Sequence, residues 1–223
     1  MTKINLLYHK EITCPVCNNE FSSKKVRFSK LRLIKRDEDF LSYYEDINPL
    51  VYNIFVCPNC GYSATEDKYK ELSQEDRKII LDKISAKWNK RSYGDIRDIE
   101  DGIESHKLAL YIGELLKYKK IELGSLCLNI AWLYRMKKDK EEYRFLELTK
   151  ELYEDAYYNE SLIGTNMDQL RLSYLIGEIN RRLGNKDKAV KWFNTVISNP
   201  DLQFNKALET MAREQWRLTR ESL

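Results

Sequence analysis

The chain has 223 residues, of which 43% are hydrophobic and 12% aromatic, so it is long enough to bury a core in one large or two small domains. Its 38 Lys and Arg residues nearly balance 35 Asp and Glu residues, and the net charge of +3 excludes a global attraction to polyanions. No stretch approaches the roughly 18 apolar residues of a membrane span, and the apolar run at the N-terminus is too short for a signal-peptide core. These features predict a cytoplasmic protein with no membrane partner.

Two Cys-x-x-Cys pairs carry the strongest chemical signal of the sequence. They are Cys14-Pro15-Val16-Cys17 and Cys57-Pro58-Asn59-Cys60, and Gly61 follows the second pair. In such a knuckle a tight turn directs both thiolates at one metal ion, so two knuckles predict a closed tetrahedral site of four sulfurs. Structural Zn²⁺ is favoured, while iron in a rubredoxin-like site and redox-active thiols are the alternatives. The fifth cysteine, Cys127, is interpreted as a small buried apolar residue.

The 39 residues between the two pairs form an insert that we predict to be a β-hairpin or a longer meander. From Lys24 to Arg36 the insert is rich in cations and has no acidic residue. Its basic residues are Lys24, Lys25, Arg27, Lys30, Arg32, Lys35 and Arg36. The first six are candidate contacts for nucleic-acid phosphates, although cations also keep edge strands from aggregating and offset the −2 charge of a four-thiolate zinc centre. The apolar pattern requires either a bulge or a turn near Ser29.

An acidic turn follows directly, and Arg36, Asp37 and Asp39 are a weak candidate site there. An Asp-x-Asp pair can bind a divalent cation, but a solvated acidic turn balanced by an arginine is the more common structure. The chain has no phosphate-binding glycine loop, no nucleophile elbow and no His-Glu-x-x-His motif, and its two histidines are His9 and His106. The sequence therefore favours a protein that is not an enzyme, with a metal-dependent enzyme as an alternative.

Long helices are predicted after the second pair because residues 59 to 199 contain no proline. Ser73 and Asp76 resemble a capping pair for a first helix in which Ile80, Ile84 and Trp88 recur at helical spacing. Apolar stripes then predict six further helices, at 98–118, 121–136, 139–158, 167–183, 186–198 and 202–220. The predicted fold is α+β and mainly α. It has a four-cysteine, zinc-ribbon-like β module at 1–64, a helical linker at 65–97 and an antiparallel helical domain at 98–223.

The segment from Tyr174 to Phe193 resembles a tetratricopeptide repeat. In that pattern a small residue, here Gly177, lets the second helix approach, and a glycine, here Gly184, ends the first helix. Ala189 and Phe193 then pack back across the hairpin. A weaker copy begins at 128, so the sequence predicts stacked hairpins with a surface for a protein or peptide partner. The alternative is a plain bundle of helices around the β module.

The order of these motifs resembles one bacterial group, the domain of unknown function family 2225. The features that carry the resemblance are the two cysteine pairs, the acidic turn at 36–40, the segment Asn48-Pro49-Leu50-Val51-Tyr52 and the repeat at 177–193. The resemblance implies a cytoplasmic protein with a metal-binding N-terminal part and tetratricopeptide-like helices, and it supports Cys14, Cys17, Cys57 and Cys60 as the ligands. It supplies no activity. The leading hypothesis is a metal-binding scaffold or adaptor that binds a protein or peptide, and the alternatives are a nucleic-acid-binding protein, a metal-dependent enzyme or an electron carrier.

Overall fold

A computed structural model describes residues 6–165 and 167–221 of the chain. The fold is α+β and mainly helical, as the sequence predicts. The chain divides into two compact units that alternate along the sequence. Unit 1 runs up to Arg36 and then comprises Ser42–Tyr118 and Asn129–Glu142, while unit 2 comprises Asp37–Leu41, Lys119–Leu128 and the chain from Tyr143 onward.

The strands of the described residues form three antiparallel two-stranded sheets in unit 1. The pairs are β1 (Leu7–Thr13) with β2 (Glu20–Val26), β3 (Leu33–Arg36) with β4 (Ser42–Tyr44), and β5 (Ile54–Val56) with β6 (Ser63–Thr65). The first pair is in register from Leu7 opposite Val26 to Thr13 opposite Glu20. The insert between the cysteine pairs therefore contains one complete hairpin, β3–β4, rather than a longer meander, while β2 pairs with a strand before the first cysteine pair and β5 with a strand after the second.

Two local departures from regular strand have clear causes. A 3₁₀ turn at Phe28–Lys30 separates β2 from β3, which is the turn that the apolar pattern requires near Ser29. The apolar run at 51–56 is a strand only from Ile54 onward. Before it, Asn48 accepts a hydrogen bond from the Leu50 amide and starts a 3₁₀ helix, Pro49–Tyr52, with proline at its first position.

Seven α-helices follow within the described residues. They are α1 (Gln74–Lys83), α2 (Ile99–Leu115), α3 (Lys120–Lys137), α4 (Glu141–Asn159), α5 (Gln169–Arg182), α6 (Lys186–Ile197) and α7 (Lys206–Glu221). Ser73 caps α1 by accepting from the Asp76 amide, as predicted. The last helix starts later than the sequence pattern indicates, because Pro200–Phe204 forms a 3₁₀ helix first. None of the helices in the part of the chain that the structure describes is long and apolar enough to cross a membrane.

In unit 1, α2 packs on β5, β6 and the 3₁₀ helix before them. The close approach depends on Gly102, since a Cβ there would lie 3.3 Å from the Val51 Cα. A buried arginine, Arg97, stands just before α2 and is 6% exposed. Its guanidinium donates to carbonyl oxygens of Tyr93 at 2.6 Å, Ile54 at 2.8 Å and Val51 at 3.3 Å, and to the Ser23 hydroxyl at 3.2 Å. Burial lowers the pKa of Arg97 to about 10, so it remains a cation at neutral pH.

Unit 2 contains the helical hairpin of α5 and α6. The hairpin turns at Gly184, whose φ of +79° is the left-handed conformation that glycine adopts most readily. Gly177 lets the helices meet, because a Cβ there would lie 2.9 Å from the Phe193 ring. Ala189 and Phe193 are fully buried in a core shared with α7, and Tyr174 packs on Phe193 with ring centroids 5.9 Å apart. The contacts that the sequence predicts inside this hairpin are present, while its membership of the tetratricopeptide class stays a prediction.

Candidate metal centre

The four cysteines of the two pairs converge in unit 1. Their sulfur atoms all lie within 4.8 Å of one another, and the Cys14–Cys60 and Cys17–Cys57 sulfurs are 3.5 and 3.6 Å apart. A Zn–S bond of about 2.3 Å places tetrahedral sulfurs roughly 3.8 Å apart, so the observed spacing fits one ion of this size. Among the described residues, no other group of three or more His, Cys, Asp or Glu side chains is arranged to share a metal ion.

The two knuckles are built alike, each at the tip of a two-stranded hairpin. In the first, the Asn18 amide donates to the Cys14 carbonyl at 2.9 Å, and in the second, the Gly61 amide donates to the Cys57 carbonyl at 2.9 Å. Asn18 and Gly61 therefore occupy the same position, four residues after the first cysteine of each pair. Both have the left-handed conformation, with φ of 57° and 77°. Asparagine and glycine are the residues that tolerate this conformation best.

The packing of Trp88 is a second feature that requires glycine at position 61. A Cβ at this position would lie 2.6 Å from the Trp88 ring, closer than any normal contact. The Trp88 indole lies across the second knuckle, and its Nε1 donates to the Pro58 carbonyl at 3.0 Å. The sequence places this glycine directly after the second pair, and the structure identifies Trp88 as the side chain that leaves no room for a Cβ there.

Helix α1 and the turn after it hold both knuckles from one side. Arg77 Nε donates to the Val16 carbonyl at 2.5 Å, and Ser85 Oγ donates to the Cys60 carbonyl at 3.0 Å. The helix ends at Lys83 and a 3₁₀ turn, Ser85–Lys87, leads to Trp88. Sequence reasoning treats these residues as part of a linker and misses their contacts with the knuckles. The boundaries at 64 and 97 stay predictions, but the four-cysteine centre draws on residues well beyond 64.

The sulfurs are shielded from solvent and interact strongly. Cys14, Cys57 and Cys60 are buried, while Cys17 is partly exposed. Hydrogen bonding from Cys57 and Cys60 lowers the pKa of Cys14, whereas the bonds to Cys14 raise the pKa of Cys57 to about 12 and raise that of Cys60 as well. These shifts favour a thiolate at Cys14 beside thiols at Cys57 and Cys60. A divalent cation that binds all four must displace the remaining protons, which makes its affinity depend on pH.

Two side chains that the sequence leaves in question lie outside this centre. Both ring nitrogens of His9 form hydrogen bonds outside the centre, since Nδ1 lies 2.9 Å from Ser22 Oγ and Nε2 lies 2.8 Å from Lys24 Nζ. Cys127 is 1% exposed within α3 and is not part of the four-sulfur group, so its interpretation as a buried residue is confirmed.

The candidate nucleic-acid residues are spread over β2, the 3₁₀ turn and β3. Several of them have local partners in unit 1. Lys25 and Lys10 both form ion pairs with Glu66 and lower the pKa of its carboxyl group. Lys24 contacts the His9 ring, and the Arg32 guanidinium lies 3.7 Å from the Glu45 carboxylate. The cationic groups of Arg27 and Lys35 lie over the rings of Tyr8 and Tyr43, at 4.9 and 4.4 Å from the ring centroids. Lys30 lies exposed in the 3₁₀ turn. Five of the six cations thus have a partner in unit 1, and their role in binding nucleic acid stays a prediction.

The acidic turn is engaged in ion pairs. Arg36 Nε donates to Ser42 Oγ at 3.1 Å in unit 1. In unit 2, Asp39 is fully buried and lies 3.5 Å from Arg182, which also pairs with Glu38 at 3.2 Å and with the buried Glu178 at 2.8 Å. Asp37 caps the turn through its backbone, where its amide donates to the Leu41 carbonyl. These contacts give Asp39 a structural partner and favour the interpretation of the turn as an ion-paired element.

Comparison with known proteins decides the family. A family model described as an uncharacterized protein conserved in bacteria, DUF2225, matches residues 7–219. The chain belongs to this family. The match spans both cysteine pairs, helices α1 to α6 and most of α7, so the family resemblance that the motifs indicate is confirmed.

The relatives add no activity to this family. A protein of Borreliella burgdorferi, described as an uncharacterized protein, is 24% identical over 182 residues, in an alignment that covers 73% of this chain and 65% of the relative. The chain thus spans less than two thirds of the length of the relative that it matches. No solved structure matches the chain.

Proposed function

We propose that Cys14, Cys17, Cys57 and Cys60 bind one structural Zn²⁺ ion, and that the protein is a scaffold or adaptor without catalytic activity. The observation that carries this proposal is the convergence of four largely buried sulfurs at spacings that fit a single tetrahedral ion. Four protein ligands leave no coordination position for water or substrate, which is the arrangement of structural rather than catalytic zinc sites. The role of the ion is then to hold together the β1–β2 and β5–β6 hairpins, which carry the two knuckles.

Elemental analysis of the purified, untagged protein tests the metal. We expect one zinc per chain, and we expect the Cys57→Ser variant to lose it while Cys127→Ser keeps it. Stoichiometric iron would instead support an electron carrier of the rubredoxin type. A wild-type chain without any metal under reducing conditions would overturn the proposal.

The proposed partner is a protein or peptide that binds to the helices of unit 2. The support is an exposed apolar surface there. Tyr158 is 71% exposed at the end of α4 and Ile163 is 88% exposed in the loop that follows. Beside them lies a depression of about 550 Å³ that Tyr157, Leu162 and Met167 help to line. Exposed aromatic and aliphatic side chains next to a depression are typical of surfaces that bind peptides.

A pull-down with the full chain tests this surface. The variant Tyr158→Ala is compared with Tyr111→Ala, since Tyr111 is a half-exposed tyrosine on α2 of unit 1. We expect a captured protein to be lost with Tyr158→Ala and retained with Tyr111→Ala. A protein that both variants retain, or both lose, would contradict a binding site on unit 2.

Nucleic-acid binding is a second candidate function, favoured by one observation. Phe28, Leu33 and Ile34 are 61, 52 and 66% exposed in the same stretch as the cations of 24–36, and every residue of β3 is exposed. A charged strand that serves solubility alone has no need for exposed apolar side chains, whereas bases stack on aromatic rings beside cations.

Fluorescence anisotropy with single-stranded RNA and DNA oligonucleotides tests this function as salt is raised. We expect affinity to fall with salt, and to fall further in Phe28→Ala and in Lys30→Gln than in Lys188→Gln, a change at an exposed lysine of α6. Absent binding, or equal losses in all three variants, would exclude this stretch as the interface.

A further inference from the structure

Tyr69 lies in an aromatic cluster that packs against the four-cysteine centre. Its ring centroid is 5.0 Å from that of Tyr62, 5.7 Å from that of Phe55 and 6.1 Å from that of Phe21. The same core includes Cys14, Cys57 and Cys60. These contacts fix the ring, and with it the position of the hydroxyl.

The Tyr69 hydroxyl is buried, yet it makes no hydrogen bond to any described residue. A buried phenol almost always has a partner, because an unpaired polar group is costly inside a protein. The neighbouring Tyr62 obeys this rule, since its hydroxyl donates to the Lys68 carbonyl at 3.1 Å. The Tyr69 hydroxyl is therefore a buried donor without an acceptor among the described residues.

The acceptor that its surroundings offer is the sulfur of Cys14. Tyr69 packs against the buried core that contains Cys14. Burial raises the pKa of the Tyr69 phenol, and the negative charge of Cys14 is the next cause, as expected for a neighbouring sulfur. Cys14 is fully buried, so solvent cannot supply a donor to it. A metal-bound thiolate accepts hydrogen bonds more strongly than a neutral thiol. A side-chain donor already serves a second ligand, because Asn59 Nδ2 donates to Cys17 Sγ at 3.5 Å.

We propose that the Tyr69 hydroxyl donates a hydrogen bond to the Cys14 thiolate of the metal-loaded centre, and that Tyr69 is thereby a positioning residue for this ligand. The inference rests on the proposed function, in which the four cysteines hold a metal ion. The bond satisfies the buried hydroxyl and delocalises part of the −2 charge of four thiolates around a divalent ion. Outer-shell donors of this kind orient ligands and tune metal affinity in other sites.

The variants Tyr69→Phe and Tyr62→Phe form a matched pair for the test. Each removes one hydroxyl from the same aromatic cluster, but only the first removes the proposed donor to sulfur. We expect Tyr69→Phe to weaken zinc binding by about 10-fold or more in competition with a chelator. After substitution with Co²⁺, we expect its sulfur-to-cobalt charge-transfer bands to move to lower energy, because a thiolate without its hydrogen bond releases electron density more readily. Tyr62→Phe should leave the band positions unchanged.

The outcomes separate this inference from the proposal on which it rests. If the wild-type chain binds neither zinc nor cobalt, the proposed function fails. If it binds one ion and Tyr69→Phe matches it in both affinity and band position, only the role of Tyr69 is overturned. If both variants lose the same amount of zinc affinity and neither shows a band shift, the loss is due to packing of the aromatic cluster. That outcome would likewise overturn the role of Tyr69.

Discussion

At the scale of single residues, Gly61 is the most constrained position of the four-cysteine centre. Its φ of +77° disfavours any side chain, and a Cβ would also meet the Trp88 ring. The first knuckle tolerates asparagine at the equivalent position, so the conformation alone does not demand glycine there. The close approach of Trp88 is what distinguishes the two knuckles.

We predict that Gly61→Ala destabilises the protein by about 2–4 kcal/mol, from roughly 1 kcal/mol of left-handed strain and a further 1–3 kcal/mol of overpacking. Denaturant unfolding of the zinc-loaded protein measures the effect. Gly184→Ala is the control, because Gly184 has the same φ with no atom within 4 Å of a Cβ, and it should show only the strain. A double variant with Trp88→Ala should recover most of the overpacking. Equal costs for both glycine variants would refute the role of Trp88.

His106 gives a second residue-scale prediction. It is fully buried in α2, with Nδ1 2.7 Å from the Gly102 carbonyl, and burial lowers its pKa to about 4 from the usual 6.5. Below pH 6.5 the unfolded chain binds a proton that the folded chain does not, so the free energy of unfolding falls as the pH falls. This loss amounts to about 3 kcal/mol by pH 4.

Unfolding measured between pH 7 and pH 4 tests this linkage. We expect the pH dependence of His106→Gln to be shallower than that of the wild type. Acid also releases metal from thiolates, but this contribution is common to both proteins. Parallel curves for the wild type and His106→Gln would contradict the prediction.

At the scale of secondary-structure elements, Arg97 joins segments that are distant in sequence. Its guanidinium supplies donors to residues of β2, of the 3₁₀ helix before β5 and of β5 itself. One planar group in fixed geometry supplies all of these donors. The first and third sheets, β1–β2 and β5–β6, are therefore joined by a single buried charge as well as by the knuckles.

We predict that Arg97→Met lowers the free energy of unfolding by about 3 kcal/mol, because buried carbonyl oxygens lose a charged donor. Arg97→Lys should recover only part of this loss. Arg91→Met is the matched control in the same loop, since Arg91 is partly exposed and pairs with Glu104 at 2.6 Å, and it should cost less than about 1 kcal/mol. Similar costs for Arg97→Met and Arg91→Met in denaturant unfolding would show that the guanidinium contributes little.

The elements that the sequence predicts well are those with local signals. Ser73 marks the start of α1 and Gly184 the turn of the α5–α6 hairpin, because capping and left-handed turns depend on near neighbours. The four metal-ligand candidates are likewise evident, since each knuckle is encoded in four residues. The contacts of Arg77, Trp88 and Arg97 are not, because they join residues far apart in sequence and no periodic pattern records them.

At the scale of the whole molecule, the cysteines and the helical hairpin belong to different cores. The core of unit 1 includes Cys14, Cys57 and Cys60 among its buried residues. The core of α5, α6 and α7 contains no cysteine among its described members. A metal ion bound by the four sulfurs, as proposed, would contact the core of unit 1 and not the core of α5, α6 and α7.

We predict that removal of the metal with a chelator under reducing conditions affects the chain unevenly. Amide hydrogen exchange followed by mass spectrometry should show loss of protection in β1, β2, β5, β6 and α1, with protection retained in α5, α6 and α7. The Cys57→Ser variant should reproduce this pattern without chelator, and Cys127→Ser should not. Uniform loss along the chain, or no loss at all, would contradict a local structural role for the ion.

The position of the five residues at 37–41 limits how this chain can be cut into fragments or fused to other proteins. They lie far before α5 in the sequence, with 144 positions separating Glu38 from Arg182, yet in unit 2 Phe40 packs on Tyr174 and Glu38 pairs with Arg182. A fragment that starts at residue 98 therefore lacks part of the surface that covers α5, and a fragment that ends at residue 97 carries that part without its support. The N-terminal cysteine module cannot be exchanged without also changing the C-terminal helices. We therefore expect recombination or fusion to transfer the two parts only together.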